Sequence, residues 1–261
     1  MRSPGHRRTK TPSPSPDFFQ PSFFPSINLV LFDLDGTLYD GAHNFYGAAK
    51  KMLEEQEKPP VEWHTFRRRQ SSLEEMMRHA FGVEDDHPEL SNLVKSFDQK
   101  YREDYRTQGC RLFENTETIL TTLENAEILW GIVTNKPSDT THEVVNHFPL
   151  LKKAHIIVPG DLLAQKKPHP LPLLHACQQL NVLPENAIYV GDMKTDIIAA
   201  RAAKMRSIAV THGYHPEHED PDSWGATYVV SNFKEMQSLL EKLLLRDAQM
   251  VSTNHAQLSP H

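Results

Sequence analysis

Six short apolar runs, most of them separated by amphipathic segments, constrain this sequence more than any other feature. They are Leu29–Phe32, Ile128–Thr134, His155–Val158, Ala187–Val190, Ser207–Val210 and Thr227–Val230. Helical spacing is expected over Thr116–Asn125, Ser138–Asn146, Pro170–Leu180, Lys194–Ala203 and Phe233–Leu245. Short apolar strands alternating with helices form a parallel sheet covered on both faces, because a parallel crossover needs a helix's length of chain. The fold class is therefore α/β, a doubly wound, Rossmann-like parallel-sheet core, expected over residues 27–40 and 112–246.

The gap between the first two runs is too long for a loop and is patterned as helix throughout. Tyr46, Ala49, Lys50 and Leu53 mark a first helix that ends before Pro59-Pro60; Leu73, Met76, Met77, Ala80 and Phe81 mark a second; Leu93, Val94, Phe97, Tyr101 and Tyr105 mark a third. Residues 41–111 are thus expected to form an all-helical insert, its Met and aromatic stripe serving as packing. Arg67, Arg68 and Arg69 read first as a solvated helix face, with one of them within reach of an anionic substrate as the alternative.

The ends differ in character. Residues 1–26 combine Arg2, Arg7, Arg8 and Lys10 with Pro4, Pro12, Pro14, Pro16, Pro21 and Pro25, too little apolar surface and too many prolines for a core, and are expected to be a disordered basic tail. They lack the apolar segment of a signal peptide. Residues 247–261 are polar and aperiodic and are expected to be a flexible tail. A net charge of -6 argues against a nucleic-acid partner, and no run is long enough to span a bilayer. Cys110 and Cys177 have no metal-ligand spacing and read as free thiols in a reducing compartment. A cytoplasmic protein, monomer or homodimer, is the expectation.

Four strings at strand ends carry chemistry. Asp33 and Asp35 stand at the C-terminal end of the first run, where ligands of an open α/β sheet bind, and Gly36 lets the backbone turn and approach a ligand. A bare Asp-x-Asp is more often an acidic turn; Asp33-Leu-Asp-Gly-Thr-Leu38 after a buried strand is far more specific. Thr134 and Asn135 end the second run, where a hydroxyl, an amide and a backbone N–H can meet phosphate oxygens. Lys166 and Lys167 precede Pro168, with His169 beyond as a loop residue. Asp192 ends the fourth run, and Asp196, four residues on at a helix start, lies on the same side. His212, His215, His218, Glu219 and Asp220 resemble a transition-metal cluster, but Pro216 and Pro221 interrupt the segment and a zinc site is not expected.

Together, in this order, the four strings resemble the haloacid dehalogenase superfamily. The likeness covers Leu29 to Leu245 and, through Thr134–Pro137, Lys166–Pro170, Gly213-Tyr214 and Trp224–Ala226, is strongest to phosphoglycolate phosphatases and N-acetylmuramic acid 6-phosphate phosphatases. The resemblance implies that the insert is a cap closing over the site. It implies a Mg2+-dependent phosphomonoester hydrolase acting on a small phosphorylated metabolite, with Asp33 as nucleophile, Asp35 as acid and base, Thr134, Asn135 and Lys167 on the phosphoryl group, and Mg2+ held by Asp33, Asp192 and the Asp35 carbonyl. Asp196 would hold Lys167 or a water on the metal. Asp35 argues against a dehalogenase, and against a transport ATPase, which has Lys there. A sugar phosphomutase, a 5'-nucleotidase and a catalytically silent binding module remain as alternatives. The chain departs from the pattern at Ser71-Ser72 in the insert, at Met193 after the metal Asp, and at Lys204 in a turn usually held by Gly.

Overall fold

The computed structural model describes residues 26–60, 62, 77–78, 80–84, 87–108 and 110–257. In chain order the first strand, β1, is Leu29–Phe32, and β2 is the short Tyr39–Asp40. Helices α1, Ala42–Glu55, and α2, Leu90–Gln108, follow, and β3, Arg111–Leu112, returns the chain. Then come α3 Thr116–Asn125, β4 Leu129–Val133, α4 Ser138–His147, β5 Ile156–Val158 and α5 Leu171–Gln179. The last elements are β6 Ala187–Gly191, α6 Lys194–Ala202, β7 Arg206–Val210, β8 Tyr228–Val230 and α7 Phe233–Gln257.

The six expected runs pair in parallel as one sheet in the order β5-β4-β1-β6-β7-β8. Every residue of β1 is buried, and the two-residue period sends them to opposite faces. Val30 and Phe32 join a core that α3, α4 and α7 cover through Ile119, Val144 and Met236. Leu29 and Leu31 join a second core that α5 and α6 cover through Leu173 and Ala199. That division is why β1 and β6 read as unbroken apolar runs rather than as alternating ones. The chain winds outward from β1 to β4 and β5, then returns to the other side of β1 with β6, so the winding reverses between β1 and β6. Ligands of such sheets sit in the crevice beyond the strand ends at this reversal.

The helical insert leaves after β2 and returns at β3. These two pair antiparallel, with Tyr39 opposite Leu112 and Asp40 opposite Arg111. The Arg111 guanidinium donates to Asp40 Oδ2 at 2.7 and 2.9 Å. Ala49, Met52, Leu53, Met77, Phe81, Leu93, Phe97 and Tyr101 form its core, as the stripe required. Phe45 seats its ring 4.6 Å from that of Tyr101. The expected positions Leu73 and Met76, the run Arg67–Arg69 and the departure at Ser71-Ser72 lie outside the described residues, as does the basic tail over 1–25.

Two expectations change or sharpen. Helix α7 runs to Gln257, not Leu245, so residues 247–257 are helical rather than an irregular tail. Their polarity misled: between Arg246 and Gln257 there is neither Gly nor Pro to stop a helix. Lys204 adopts φ of 58°, the left-handed conformation that an L side chain resists, between α6 and β7. Among the described residues no helix is long and apolar enough to cross a membrane.

Candidate active site

β1 and β6 run side by side, and an acid follows each. The Asp33 N–H donates to the Val190 carbonyl at 2.8 Å, so the ladder between the strands continues past β1 and fixes the Asp33 backbone. Asp192 follows Gly191 and is wholly buried. Its Oδ2 accepts the Tyr214 N–H at 2.7 Å, and its Oδ1 accepts the Thr37 hydroxyl at 3.4 Å. Two glycines make room for it. Gly36 has φ of 82°, and a Cβ there would stand 2.2 Å from Asp192 Oδ2; one on Gly213 would stand 2.3 Å from the same atom. Backbone without side chains thus closes on the carboxylate from two directions.

Lys167, from the loop before α5, reaches the same place and is 3% exposed. Its Nζ stands within hydrogen-bond distance of four acceptors, Asp33 Oδ1 at 2.8 Å, Asp196 Oδ1 at 2.7 Å, the Tyr189 hydroxyl at 2.8 Å and the Val133 carbonyl at 3.1 Å, one more than its three hydrogens can serve at once. Tyr189 donates onward to the Val133 carbonyl at 2.7 Å. Lys166 is exposed, and His169 accepts the Leu171 N–H at 3.1 Å in the first turn of α5. The Asn135 side chain, expected on phosphate, binds the Lys167 backbone: its amide donates to the Lys167 carbonyl at 2.9 Å and accepts the Lys167 N–H at 3.0 Å. It holds the loop that delivers the lysine. Thr134 is buried, and its Oγ1 accepts the Lys136 N–H at 3.2 Å, leaving the hydroxyl hydrogen to donate.

Charge at this centre is unbalanced. Asp33, Asp192 and Asp196 each offer a carboxylate oxygen within 4.8 Å of the others. Burial, then the neighbouring Asp33 and Asp196, hold the Asp192 carboxyl well above the usual carboxylate range. Burial also raises Asp196, against the pull of Lys167. For Lys167 burial works against the charge, but Asp196 and Asp33 outweigh it and keep the ammonium above lysine's ordinary value. One ammonium among three carboxylates leaves the centre short of positive charge, and crowded hard oxygens are the donor set Mg2+ takes. Asp196 is the least available of the three, since its Oδ1 serves Lys167 and its Oδ2 accepts the Met193 N–H at 2.9 Å, capping α6. The three acids together could hold a cation, with Asp33 and Asp192, whose contact to Thr37 is a long 3.4 Å, the freer two.

Asp35 turns from this cluster toward a residue that the sequence reading passed over. Lys136 Nζ lies 3.1 Å from Asp35 Oδ1 and donates to the Tyr101 hydroxyl at 3.2 Å. Burial raises the Asp35 carboxyl, Lys136 opposes that, and Asp33 adds to it. A cavity of about 260 Å³ lies between core and insert, with Asp33, Asp192 and Lys167 on one side and Phe45, Phe97 and Tyr101 on the other. Tyr189 had one signal in the sequence, a lone hydroxyl within an apolar strand; Lys136 and Tyr214 had none beyond their place in the matching strings. The histidine segment is differently placed. His212 packs its ring 5.1 Å from Phe113 and 4.0 Å from Phe233, and His215 meets the Trp224 ring edge-on.

Compared with known proteins, residues 30–210 match the model of the family described as haloacid dehalogenase-like hydrolase. The chain belongs to this family. A phosphoglycolate phosphatase of Xanthomonas campestris pv. campestris is 38% identical over 201 residues, 77% of this chain and 90% of that protein. An N-acetylmuramic acid 6-phosphate phosphatase of Pseudomonas aeruginosa is 33% identical over 220 residues, 84% of this chain and 96% of that protein. Among solved structures, a haloacid dehalogenase-like family hydrolase of Streptococcus pneumoniae superposes with a TM-score of 0.68 at 24% identity, over 82% of this chain and 98% of that one; it shows the shared fold. The resemblance, the fold class and the enzyme type, a phosphatase of the haloacid dehalogenase-like family, are borne out by these matches.

Proposed function

We propose that this haloacid dehalogenase-like hydrolase is a Mg2+-dependent phosphatase of small phosphorylated metabolites, working through an aspartyl-phosphate, with 2-phosphoglycolate as the first substrate to test. The observation that carries the reading is the meeting of Asp33, Asp192 and Lys167 at the reversal of the sheet. Asp33 attacks phosphorus, and the bond from phosphorus to the leaving oxygen breaks as the Asp33–phosphorus bond forms. Asp35 gives its proton to the leaving alkoxide, then takes one from the water that cleaves the acyl phosphate, which regenerates both carboxyls and releases inorganic phosphate. The Thr134 hydroxyl donates to the phosphoryl oxygens on which charge collects, and Lys167 turns one of its hydrogens from its protein acceptors to them. Mg2+ on Asp33, Asp192 and the Asp35 carbonyl would supply the positive charge that lets a phosphate dianion approach these acids. The insert over residues 41–111 acts as a cap that closes the 260 Å³ cavity from water, and the protein works in the cytoplasm as a monomer or homodimer without nucleic acid or membrane.

The test is phosphate release from 2-phosphoglycolate, N-acetylmuramic acid 6-phosphate, hexose phosphates and nucleoside monophosphates, with Mg2+ and with EDTA. Release that needs Mg2+ supports the reading; release unchanged by EDTA, or none at all, sinks it. The relative at 33% identity gives N-acetylmuramic acid 6-phosphate a specific claim as the second candidate, and relative kcat/KM decides between the two. Gly213→Ala tests how Asp192 is held. Its new Cβ would stand 2.3 Å from the carboxylate. The Mg2+ concentration for half-maximal rate should therefore rise by roughly 10- to 100-fold, the range seen when support of a metal ligand is lost. An unchanged Mg2+ requirement would remove Asp192 from the metal's ligands.

A further inference from the structure

Lys136 has no part in the reaction as proposed, yet it is a lysine 8% exposed at the edge of the cavity. Such burial costs an ammonium its hydration and needs compensation. Three kinds of contact supply it. Asp35 Oδ1 stands 3.1 Å away, the Tyr101 hydroxyl stands 3.2 Å away, and the rings of Tyr101 and Phe45 lie 4.5 and 5.0 Å from the ammonium. The backbone behind it is fixed as well. Its carbonyl accepts the Thr141 hydroxyl at 3.1 Å and the Gly160 N–H at 2.9 Å. Lys136 is therefore anchored in the core at its backbone and bound to the insert at its tip.

Asp35 shows the other half. Among the described residues, Lys136 is the only hydrogen-bond donor to its side chain. Tyr101, which orients Lys136, belongs to α2. Its hydroxyl meets that of Tyr39 at 3.2 Å, and Tyr39 donates to Asn44 at 3.2 Å, so one hydrogen-bonded line runs from Asp35 into the insert. The next residue of α2, Arg102, ion-pairs with Asp139 and Glu143 of α4 at 3.4 and 3.6 Å, seating the same turn on the core.

We propose that Lys136 is the positioning residue that aims Asp35 at the leaving oxygen, and that Tyr101 makes this aim depend on the insert being seated over the site. The inference rests on the phosphatase reading above, in which Asp35 is the acid. Proton delivery matters most when the leaving group is a strong base and least when it is a stabilised phenolate. A residue acting through Asp35 must show that dependence; one acting on the fold alone must not.

The experiment measures kcat and KM for the wild type, Lys136→Met, Lys136→Arg and Tyr101→Phe, with 2-phosphoglycolate and with p-nitrophenyl phosphate. The first-turnover burst of p-nitrophenolate is recorded separately, since water attack also uses Asp35. Lys136→Met should lower kcat on the alkyl ester about 10- to 100-fold, part of the usual span of acid–base catalysis, with KM changed by less than about threefold. The burst rate should fall by less than about threefold, Lys136→Arg should recover part of kcat, and Tyr101→Phe, which keeps the ring, should show a smaller loss of the same kind. An equal loss in the alkyl-ester kcat and in the p-nitrophenolate burst, a change confined to KM, or no change in either Lys136→Met or Tyr101→Phe overturns the proposal. A wild type without turnover overturns the phosphatase reading instead, and the proposal with it.

Discussion

Replacing Asp33 by asparagine is expected to cut phosphate release at least about a thousandfold, because the amide cannot form the acyl phosphate and no neighbouring carboxylate can stand in. Asp192 is held behind Gly36 and Gly213, and both oxygens of Asp196 are occupied. The variant should nevertheless fold. Asn is nearly isosteric, its amide oxygen can still accept from Lys167 at the 2.8 Å position, and one negative charge leaves a cluster in which Asp33 helps push Asp192 upward. Thermal stability without Mg2+ should be equal to or above that of the wild type. Retained phosphate release in Asp33→Asn would show that the nucleophile lies elsewhere. A collapse in stability would show that Asp33 is chiefly structural.

Lys167→Met is expected to have the largest effect on folding. It removes the one ammonium facing Asp33 and Asp196, both buried, and leaves the Tyr189 hydroxyl without its donor. Breaking a buried pair on one side typically costs about 3–5 kcal/mol, which for a domain of this size lowers Tm by on the order of 10 °C. Lys166→Met, on an exposed neighbour, should change Tm little. The pH dependence follows from Asp192 and Asp196, whose carboxyls already sit above their ordinary values. A folded-state pKa above the unfolded one makes the ionised acid a cost at neutral pH that fades as pH falls. The Tm gap between Lys167→Met and wild type should therefore be widest near neutrality and narrow toward acid pH. A constant gap would mean that lost packing, not charge, is responsible.

What could be read from the chain, and what could not, divides by range. β1 and β6 announce themselves because their residues on both faces are apolar but for the Tyr189 hydroxyl, and Asp33 and Asp192 stand out because they follow such runs. Lys167 is separable from Lys166 by the proline beside it. Lys136 is different: its meaning lies in Asp35, 101 residues away, and in Tyr101, 35 residues away, and no local pattern encodes either distance. Asn135 is illegible for the same reason: its bonds to the Lys167 backbone span 32 residues. Tyr101 was correctly placed on the packed face of α2, but spacing cannot distinguish a ring that fills space from one whose hydroxyl also holds a lysine.

The way the helical insert is spliced into the core has a consequence for engineering. The chain departs at Asp40 and comes back at Arg111, residues directly opposite each other on β2 and β3. Every strand of the six-stranded sheet except β1 lies after the return, so the sheet's hydrogen-bonding order owes nothing to what is placed in the gap. A two- to five-residue hairpin turn is all that the antiparallel pair would need to close. The scaffold is in effect a socket: foreign modules whose two ends lie as near together as Asp40 and Arg111 could be grafted there, provided that they restore a hydroxyl where Tyr101 now meets Lys136.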